Sequence, residues 1–349
     1  MELVDILKLI APGTEIRSGL ENILKAKTGA LIVIGDEKEL EPIIDGGFSL
    51  DVDLTPARLY ELAKMDGAII LSEDLKKIIY ANVQLIPDFS IPTVETGTRH
   101  KAAERISKQT GKIVISISQR RGIITVYQGN QRHVLEDTER VTSKTNQALQ
   151  TVERYRKVFD NKINMLTEYE FNDIATLNMV VESIQRAEMV MRIADEVQKS
   201  IYELGIEGRL LKMQLDELTD GIEKEERLII KDYVERKNAD VAFRAVAKLS
   251  YDDLNKEQVV AKALGIKEID NYTEVTVYTR GYRILNQVPR MPSNIVENIV
   301  KKFKSFQKIL SASIEELDEV EGIGEVRART IVQSLKRMEE QFAFDRMLF

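Results

Sequence analysis

The feature that most restricts the fold of this 349-residue chain is an abrupt change of pattern near residue 138. Up to about residue 135, short apolar runs alternate with amphipathic stretches and with segments rich in Gly, Pro and Thr. From Thr138 to about Ala247, Gly and Pro almost vanish, and apolar residues recur at helical spacing among charged ones. The first part therefore predicts a mixed α and β domain, and the second predicts an all-helical segment.

The N-terminal part predicts helices and strands in alternation, and its last two strands are joined by a hairpin at residues 119–122. Gly111 stands where a left-handed residue commonly closes a helix. A segment rich in Pro, Gly and Thr at 87–97 predicts a loop. The predicted helices cover 15–27, 55–65 and 98–109, and the predicted strands cover 30–35, 68–71, 78–81, 113–118 and 123–127.

The chain is longer than one hydrophobic core usually supports, so its length indicates two or three domains. We predict three, at residues 1–137, 138–287 and 288–349. The last stretch, from about Pro289, predicts short helices joined by the turn at 320–324. The predicted fold class is multidomain α+β. It combines an N-terminal mixed α/β domain with a central sheet, an all-helical spine and a C-terminal helix-hairpin-helix domain.

Composition excludes several classes of function. The chain has no cysteine and only two histidines, His100 and His133, which excludes disulfide scaffolds, zinc fingers and iron–sulfur or thiol chemistry. Any metal would be held by oxygen, which favours Mg²⁺ or Mn²⁺. No apolar run approaches the roughly 20 residues of a membrane span, and the N-terminal segment carries acids, so we expect a cytoplasmic protein with no membrane partner. The net charge of -7 still permits a local basic face.

Basic residues fill the first turn of the helix predicted to begin at Thr98. Arg99, His100 and Lys101 lie where the helix dipole disfavours cations, so we expect an anion to compensate. The preceding Gly97, the Thr98 hydroxyl and the free backbone N–H groups of a helix start are the parts of a phosphate site. Taken alone, the segment also fits a solvated basic helix start.

Two other segments of the same domain supply complementary groups. Asp66-Gly67-Ala68 leads into a predicted strand, where the carboxylate could hold a divalent ion and the glycine lets a ligand approach the backbone. Ser118 and Arg121, at the predicted hairpin, add a hydroxyl and a guanidinium fork that suits phosphate oxygens. Singly, such segments are usually turns or solvated loops, so the prediction depends on their combination.

Together and in this order, these segments resemble the DisA_N-type diadenylate cyclase domain, whose marks are an Asp-Gly-Ala motif and an Arg-His-Arg motif. The motifs stand here as Asp66-Gly67-Ala68 and Arg99-His100-Lys101. Lys101 replaces the family's arginine, which keeps the charge but loses the planar fork. The segments Glu203–Arg209 and Met213–Leu215 and the helix-hairpin-helix extend the resemblance to the DisA family over essentially the whole chain.

The resemblance implies an enzyme that condenses two ATP molecules to cyclic di-AMP and releases two pyrophosphates, with Mg²⁺ or Mn²⁺. It implies that Asp66, Arg99 and His100 are catalytic, and that Asp66 ligates the metal and helps to activate the 3′-hydroxyl. Because the product is two-fold symmetric, two half-sites must face each other, in the family within an octamer. The implied nucleotide-binding residues are Gly67, Ala68, Leu85, Thr98, Arg99, His100, Lys101, Ala102, Ser118 and Arg121.

The C-terminal turn predicts a DNA-binding surface. Gly322 and Gly324 permit a tight turn whose backbone N–H groups face a DNA phosphate independently of base sequence. Arg327 and Arg329 are the predicted DNA-binding side chains, within a basic stretch that supports backbone binding. The resemblance implies branched junctions as the DNA partner, a nucleoid-associated location and suppression of the cyclase by branched DNA. The other basic residues are Lys301, Lys302, Lys304, Lys308, Lys336 and Arg337.

Two other classes of function remain open at this point. A non-catalytic DNA-structure sensor could bind ATP or cyclic di-AMP as a regulatory ligand, although such a binder has little need for the Asp66 carboxylate. A structure-specific nuclease could use the same hairpin, but the sequence has no visible acidic metal cluster near it. Among minor candidates, His133 is more typical of a surface residue than of a catalyst. Asp51 and Asp53 lack the glycine and bidentate acid of a calcium loop.

Overall fold

The structure is a computed structural model that describes residues 3–234, 238–266 and 275–347. The chain divides into two compact units. Unit 1 comprises Met1–Gln147 and Val197–Met213, and unit 2 comprises Ala148–Glu196 and Gln214–Phe349. The ends of the predicted first and third domains, residues 1–2 and 348–349, lie outside the described residues, as do 235–237 of the predicted all-helical segment.

Unit 1 is built on an eight-stranded mixed sheet in the order β2-β5-β4-β1-β6-β7-β8, with β3 also paired to β5. β1 and β4 run parallel, and the other strand pairings are antiparallel. The strands are β1 (Ala30–Ile34), β2 (Ile44–Asp45), β3 (Phe48–Asp53), β4 (Ala68–Leu71), β5 (Lys77–Leu85), β6 (Ile113–Ser118), β7 (Ile123–Gln128) and β8 (Gln131–Leu135).

Helices cover both faces of this sheet, which is why every residue of the central strand β1 is buried. One core joins α1, α2 and α4 to alternate residues of the strands, such as Ile115 and Val126. The other joins α5 to the intervening residues, such as Val114 and Tyr127. The helices are α1 (Leu3–Leu9), α2 (Glu15–Lys25), α3 (Glu37–Leu40), α4 (Pro56–Leu62) and α5 (Thr98–Thr110).

The rest of the described chain is almost entirely helical, and the scarcity of Gly and Pro from Thr138 to about Ala247 predicts this for the first part of it. The division between the units falls within the three helices α6 (Thr138–Phe171), α7 (Leu177–Leu204) and α8 (Arg209–Thr219). Among the described residues, no helix combines the length and the apolar character that crossing a membrane requires. Unit 2 continues with α9 (Ile222–Tyr233), α10 (Ala239–Ala247), α11 (Tyr251–Leu254), α12 (Glu257–Ala263), α13 (Tyr282–Leu285), α14 (Ser293–Phe303), α15 (Phe306–Leu310), α16 (Ile314–Asp318) and α17 (Glu325–Met347).

A buried charged cluster ties the helical part of unit 2 to its C-terminal helices. Arg283 at the start of α13 is fully buried and forms an ion pair with Glu170 of α6, and its other Nη lies 3.1 Å from Glu225 of α9. Asp232 of α9 accepts hydrogen bonds from the backbone N–H groups of Tyr282 and Arg283 at 2.7 and 2.9 Å. Burial, and then the charge of Glu170, raise the pKa of Asp232 to about 7.

The secondary structure predicted for the first domain is largely confirmed, including the 119–122 hairpin. Gly111 closes α5 at φ +70° and donates its N–H to the Ser107 carbonyl. One prediction for the C-terminal stretch is wrong, because α17 is a helix of 23 residues and not a short one. It extends well beyond the turn because no glycine or proline follows Gly324.

Candidate nucleotide site and DNA interface

One end of the sheet gathers most of the predicted site residues, and we call it the site end. The pairing of Ala30 with Ile117 brings the start of β1 beside the end of β6, and Ser118 pairs with Ile123 at the start of β7. Ala68, at the start of β4, pairs with Val83 near the end of β5. Asp66, Gly67, Ala68, Leu85, Ser118 and Arg121 therefore lie at the site end, although the sequence separates them widely.

The turn before β4 requires its glycine. Gly67 has φ +94°, and a Cβ built on it would lie 2.9 Å from the Asn82 carbonyl carbon and from the Val83 carbonyl oxygen of β5. Asp66 is exposed beside this close approach, Ala68 is buried and Leu85 is half-buried. The glycine thus fixes how the Asp66 carboxylate is presented at the site end.

Gly67→Ala is expected to destabilise unit 1 by about 1–3 kcal/mol, since the left-handed conformation and the backbone clash both penalise a Cβ. The measurement is the urea midpoint of the variant followed by circular dichroism. Gly111→Ala is the matched control, because it has a similar φ of +70° but nothing within 4 Å of its Cβ position. Equal losses for both variants would show that contact with β5 contributes nothing.

The start of α5 carries the second predicted motif against the sheet. Gly97 is the N-cap residue and makes no side-chain cap, so backbone N–H groups of the first turn remain available. Thr98 is exposed, and Arg99, Lys101 and Ala102 are half-buried. The Arg99 guanidinium lies over Gly29, where a Cβ would be 2.5 Å from its Nη1. Since Gly29 immediately precedes β1, Arg99 is also directed to the site end.

His100 is 7% exposed and belongs to a hydrogen-bonded chain on the face of the sheet that α5 covers. Its Nδ1 lies 2.9 Å from the Tyr127 hydroxyl, which donates to Glu95 Oε1 at 2.8 Å. Arg132 donates to the same oxygen at 2.7 Å. Burial lowers the pKa of His100, and Arg121 and Arg132 act in the same direction while Glu95 opposes them. His100 is therefore neutral in the free protein at pH 7, unlike the cation inferred from sequence.

A strip of hydroxyl groups continues across this face of the sheet. Ser118 Oγ accepts from the Arg121 N–H at 3.2 Å, which holds the hairpin close to the end of β6. Ser116 and Thr125 pair across β6 and β7, and their buried hydroxyls lack a hydrogen-bond partner among the described residues. Buried polar groups are nearly always satisfied, so this strip has spare capacity for water or for a polar ligand.

A divalent cation fits this site only together with a ligand of its own. Within the ranges that the structure describes, no group of three or more acidic or histidine side chains could hold a metal. Mg²⁺ often binds through one or two carboxylates plus substrate phosphates, and Asp66 is an exposed carboxylate at the site end, where the predicted phosphate-binding groups also lie. The donor set is thus compatible with a metal that arrives with a phosphate.

Sequence reasoning missed four residues that shape this site: Gly29, Glu95, Tyr127 and Arg132. Glu95, Tyr127 and Arg132 are linked to His100 by hydrogen bonds. Only Glu95 is close to His100 in sequence. Tyr127 reads as an ordinary apolar strand residue, and Arg132 reads as a solvated one. The only available signal was Glu95 next to the predicted helix start.

In unit 2, the predicted DNA-binding turn adopts the geometry that its glycines allow. Gly322 has φ +85°, and Gly324 has no atom within 4 Å of its Cβ position. Gly324 directly precedes α17, and its carbonyl accepts from Ala328. A cleft of about 660 Å³ beside this turn is also lined by Pro289 and Arg290 from the connection between α13 and α14. Two helix connections thus border one cleft.

The two predicted DNA-binding arginines are held locally. Arg327 donates to the Gly322 carbonyl across the turn. Arg329 pairs with Glu325 one helical turn away at 2.6 Å, with both side chains more than half exposed. An exposed ion pair is worth little, so the Arg329 guanidinium can exchange Glu325 for a phosphate at small cost.

Family models match the chain in three consecutive ranges. Residues 17–132 match the DisA bacterial checkpoint controller nucleotide-binding family, and 135–272 match the DisA bacterial checkpoint controller linker region. Residues 282–337 match the SAM-like helix-hairpin-helix tandem. The first range contains the site end and α5, and the third contains both helix connections that border the cleft.

Curated relatives match nearly the whole chain. The DNA integrity scanning protein DisA of Acetivibrio thermocellus is 51% identical over 99% of this chain and 96% of its own length. That of Clostridium kluyveri is 51% identical over 99% and 97%. A solved structure of DacA from Staphylococcus aureus covers 38% of this chain and 88% of its own at 25% identity, with a TM-score of only 0.31. The identity to the full-length relatives shows that the chain belongs to the DisA family of DNA integrity scanning proteins.

Proposed function

We propose that the chain is a diadenylate cyclase that condenses two ATP molecules to cyclic di-AMP. The observation that carries this proposal is the convergence of Asp66, the start of α5 and the Ser118–Arg121 hairpin at one end of the sheet. A carboxylate, a helix N-terminus and guanidinium groups are what a nucleoside triphosphate and its cation require. Membership of a family with a nucleotide-binding domain supports it.

In this reaction the 3′-hydroxyl of one ATP attacks the α-phosphate of the other, and pyrophosphate leaves. A second, identical step closes the ring and releases the second pyrophosphate. Mg²⁺ or Mn²⁺, when bound, neutralises charge on the phosphates. Asp66 would hold that ion near the attacking hydroxyl, while Thr98 to Ala102 and Arg121 would orient the triphosphate. Most of the rate gain comes from positioning.

Each chain supplies half of the reacting pair, so a second copy must face it. Large apolar side chains are exposed in the loop between β5 and α5, where Val94 is 84% exposed and Phe89 is 71% exposed. Ile86 next to Leu85 and Met65 next to Asp66 are exposed as well. Exposed apolar groups beside a polar site are typical of an interface. A two-fold interface here would bring two α5 starts together, and an octamer would contain four such pairs.

The cyclase is tested by incubating the full chain with ATP and Mg²⁺ or Mn²⁺ and identifying the products by mass. Cyclic di-AMP with two equivalents of pyrophosphate is expected. ADP, AMP or a linear dinucleotide as the final product would reject cyclisation. ATP that binds but is recovered unchanged would favour the non-catalytic sensor.

We further propose that the C-terminal hairpins bind branched DNA, and that binding lowers cyclase activity. The proposed division of labour is catalysis by residues 1–137, connection by 138–287 and DNA binding by 288–349, in a cytoplasmic protein associated with the nucleoid. The two helix connections beside the cleft carry backbone N–H groups and exposed arginines, which can bind DNA phosphates. Phosphate contacts at two places make binding depend on the shape of the DNA. Adding a Holliday junction to the cyclase assay should reduce the rate, and an unchanged rate would reject the coupling.

Gly324→Ala should weaken DNA binding about tenfold without loss of stability, because the new methyl group meets solvent in the free protein but stands between the turn and a phosphate. Affinity for a junction is measured by fluorescence anisotropy at several salt concentrations, with thermal unfolding in parallel. Gly322→Ala is the contrasting variant and should lose stability as well, since its φ is +85°. Unchanged affinity for Gly324→Ala would place the phosphate elsewhere.

A further inference from the structure

The hydrogen bonds that link Glu95, Tyr127 and His100 determine which ring nitrogen of His100 carries the proton. The Tyr127 hydroxyl has one proton, and Glu95 is ionised. Burial alone would raise the pKa of Glu95, but hydrogen bonds from Arg132 and Tyr127 outweigh it and lower the pKa. A carboxylate can only accept, so the hydroxyl proton of Tyr127 must point to Glu95. The Tyr127 oxygen is then left to accept, and His100 Nδ1 must be the donor.

The other ring nitrogen of His100 is then a bare acceptor. Nε2 is buried and has no hydrogen-bond partner among the described residues. A proton there would face no acceptor, which is costly for a buried group. The charged groups that face the ring are Glu95 from the loop before α5, Arg121 from the β6–β7 turn and Arg132 from β8. Two cations against one anion, together with burial, favour the neutral ring.

Other polar groups without a partner among the described residues lie on the same face of the sheet as His100. His100 lies in the first turn of α5, beside Arg99 and Lys101, and the unpartnered hydroxyls of Ser116 and Thr125 lie on the sheet face that α5 covers. The phosphate oxygens of a Mg²⁺-bound triphosphate are ionised at neutral pH and cannot donate to Nε2. A hydroxyl or amino group can donate, and a nucleotide has both on its ribose and base.

We propose that Glu95 and Tyr127 are positioning residues that hold His100 as the tautomer protonated on Nδ1, so that its Nε2 accepts a hydrogen bond from a hydroxyl or amino group of the bound nucleotide. This inference rests on the proposed nucleotide site. It removes His100 from the phosphate-binding set and leaves that work to Arg99, Lys101 and the backbone of α5. His100 then orients the nucleoside, and the cations bind the triphosphate.

The tautomer can be read directly, because the chain has only two histidines. Solid-state ¹⁵N NMR of sedimented, histidine-labelled protein gives one pair of ring signals for each, and a His133→Gln variant assigns them. In the free protein we expect a protonated Nδ1 and an unprotonated Nε2 for His100. With α,β-methylene-ATP and Mg²⁺ bound, the ring should stay neutral and the Nε2 signal should shift as it gains a donor.

Analogues of that ligand identify the donor. The 2′-deoxy and 3′-deoxy forms each remove one ribose hydroxyl, and the purine riboside form removes the base amino group. One of the three should abolish the Nε2 shift. Loss with a deoxy form assigns a ribose hydroxyl, and loss with the purine riboside form assigns the amino group. Retention of the full shift with all three would overturn the proposed contact.

Variants separate positioning from structural support. Tyr127→Phe and Glu95→Ala should move the proton to Nε2 and reduce turnover about tenfold. Glu95→Gln should preserve the tautomer and most of the turnover, because the hydroxyl and Arg132 both donate to a single oxygen, Oε1, which an amide also provides. Tyr80→Phe is the matched control, since its hydroxyl also donates to a glutamate, Glu37, but from β5. Tyr80→Phe should change neither the tautomer of His100 nor the turnover.

Three results would overturn the inference: an Nε2-protonated ring in the free protein, an imidazolium in the nucleotide complex, or an unchanged tautomer in Tyr127→Phe. The tautomer of the free protein is independent of catalysis. A wild-type chain that makes no dinucleotide but shows the expected ring signals would therefore reject the proposed function and leave the positioning of His100 standing. A chain that makes cyclic di-AMP but lacks the expected ring signals would reject the positioning of His100 and leave the proposed function standing.

Discussion

Replacing Asp66 with asparagine is expected to abolish cyclic di-AMP synthesis while the protein keeps its fold. Asparagine retains the shape and the hydrogen-bonding oxygen but loses the charge that would hold a divalent cation against the phosphates. A loss of about 10³-fold or more, equivalent to about 4 kcal/mol of transition-state stabilisation, is expected. The measurement is the rate of cyclic di-AMP formation by chromatography and mass spectrometry at saturating ATP.

The fold should be indifferent to this change because Asp66 is exposed. Thermal unfolding of Asp66→Asn should therefore match that of the wild type. Asp53→Asn removes an exposed carboxylate from β3 and serves as the control, with activity retained. Wild-type turnover by Asp66→Asn would show that this carboxylate has no part in the chemistry.

Arg283→Met should unfold or severely destabilise unit 2, by about 3–5 kcal/mol. The guanidinium is fully buried between Glu170 of α6 and Glu225 of α9. Removing it leaves buried carboxylates without their counter-charge, which is far more costly than deleting an exposed pair. Because α13 and α14 form one of the two connections beside the cleft, junction binding should fall with stability. Urea unfolding of unit 2 is the measurement.

Two further variants make this result specific to the buried charge. Lys302→Met breaks an ion pair with Glu319, which is 74% exposed, and should cost less than about 1 kcal/mol. Adding Glu170→Met to Arg283→Met should restore part of the stability, since the unpaired carboxylate is removed with the cation. An Arg283→Met protein as stable as the wild type would mean that the cluster contributes nothing to unit 2.

The sequence predicted those parts of the fold that depend on local pattern. The run at 68–71, the hairpin at 119–122 and the helix from Thr98 to Gly111 each carry their own signal, in periodicity or in turn residues. The change of residue pattern near residue 138 is also a local signal, and it correctly predicted where the sheet-containing part of the chain ends and the helical part begins. β2 and β3 were missed because they are short or mostly exposed, and they exist by pairing with the long strand β5.

The site was predicted as separate segments, and only their order along the chain suggested that they belong together. What brings them to one end of the sheet is the strand register, such as Ala30 with Ile117, which no local pattern contains. The environment of His100 was likewise inaccessible. Its burial and its link to Tyr127 arise from the packing of α5 on β7, and they favour a neutral ring where its sequence neighbours suggested a cation.

The most direct test of the paired half-sites is the product composition of mixed assemblies. Wild-type and Asp66→Asn chains are co-expressed with different tags, isolated at known ratios and incubated with ATP and Mg²⁺, and the dinucleotides are identified by mass. Two facing half-sites predict that cyclic di-AMP falls with the square of the wild-type fraction while a linear dinucleotide appears from mixed pairs. Cyclic product in simple proportion to the wild-type fraction, or no dinucleotide from wild-type chains alone, would contradict the account.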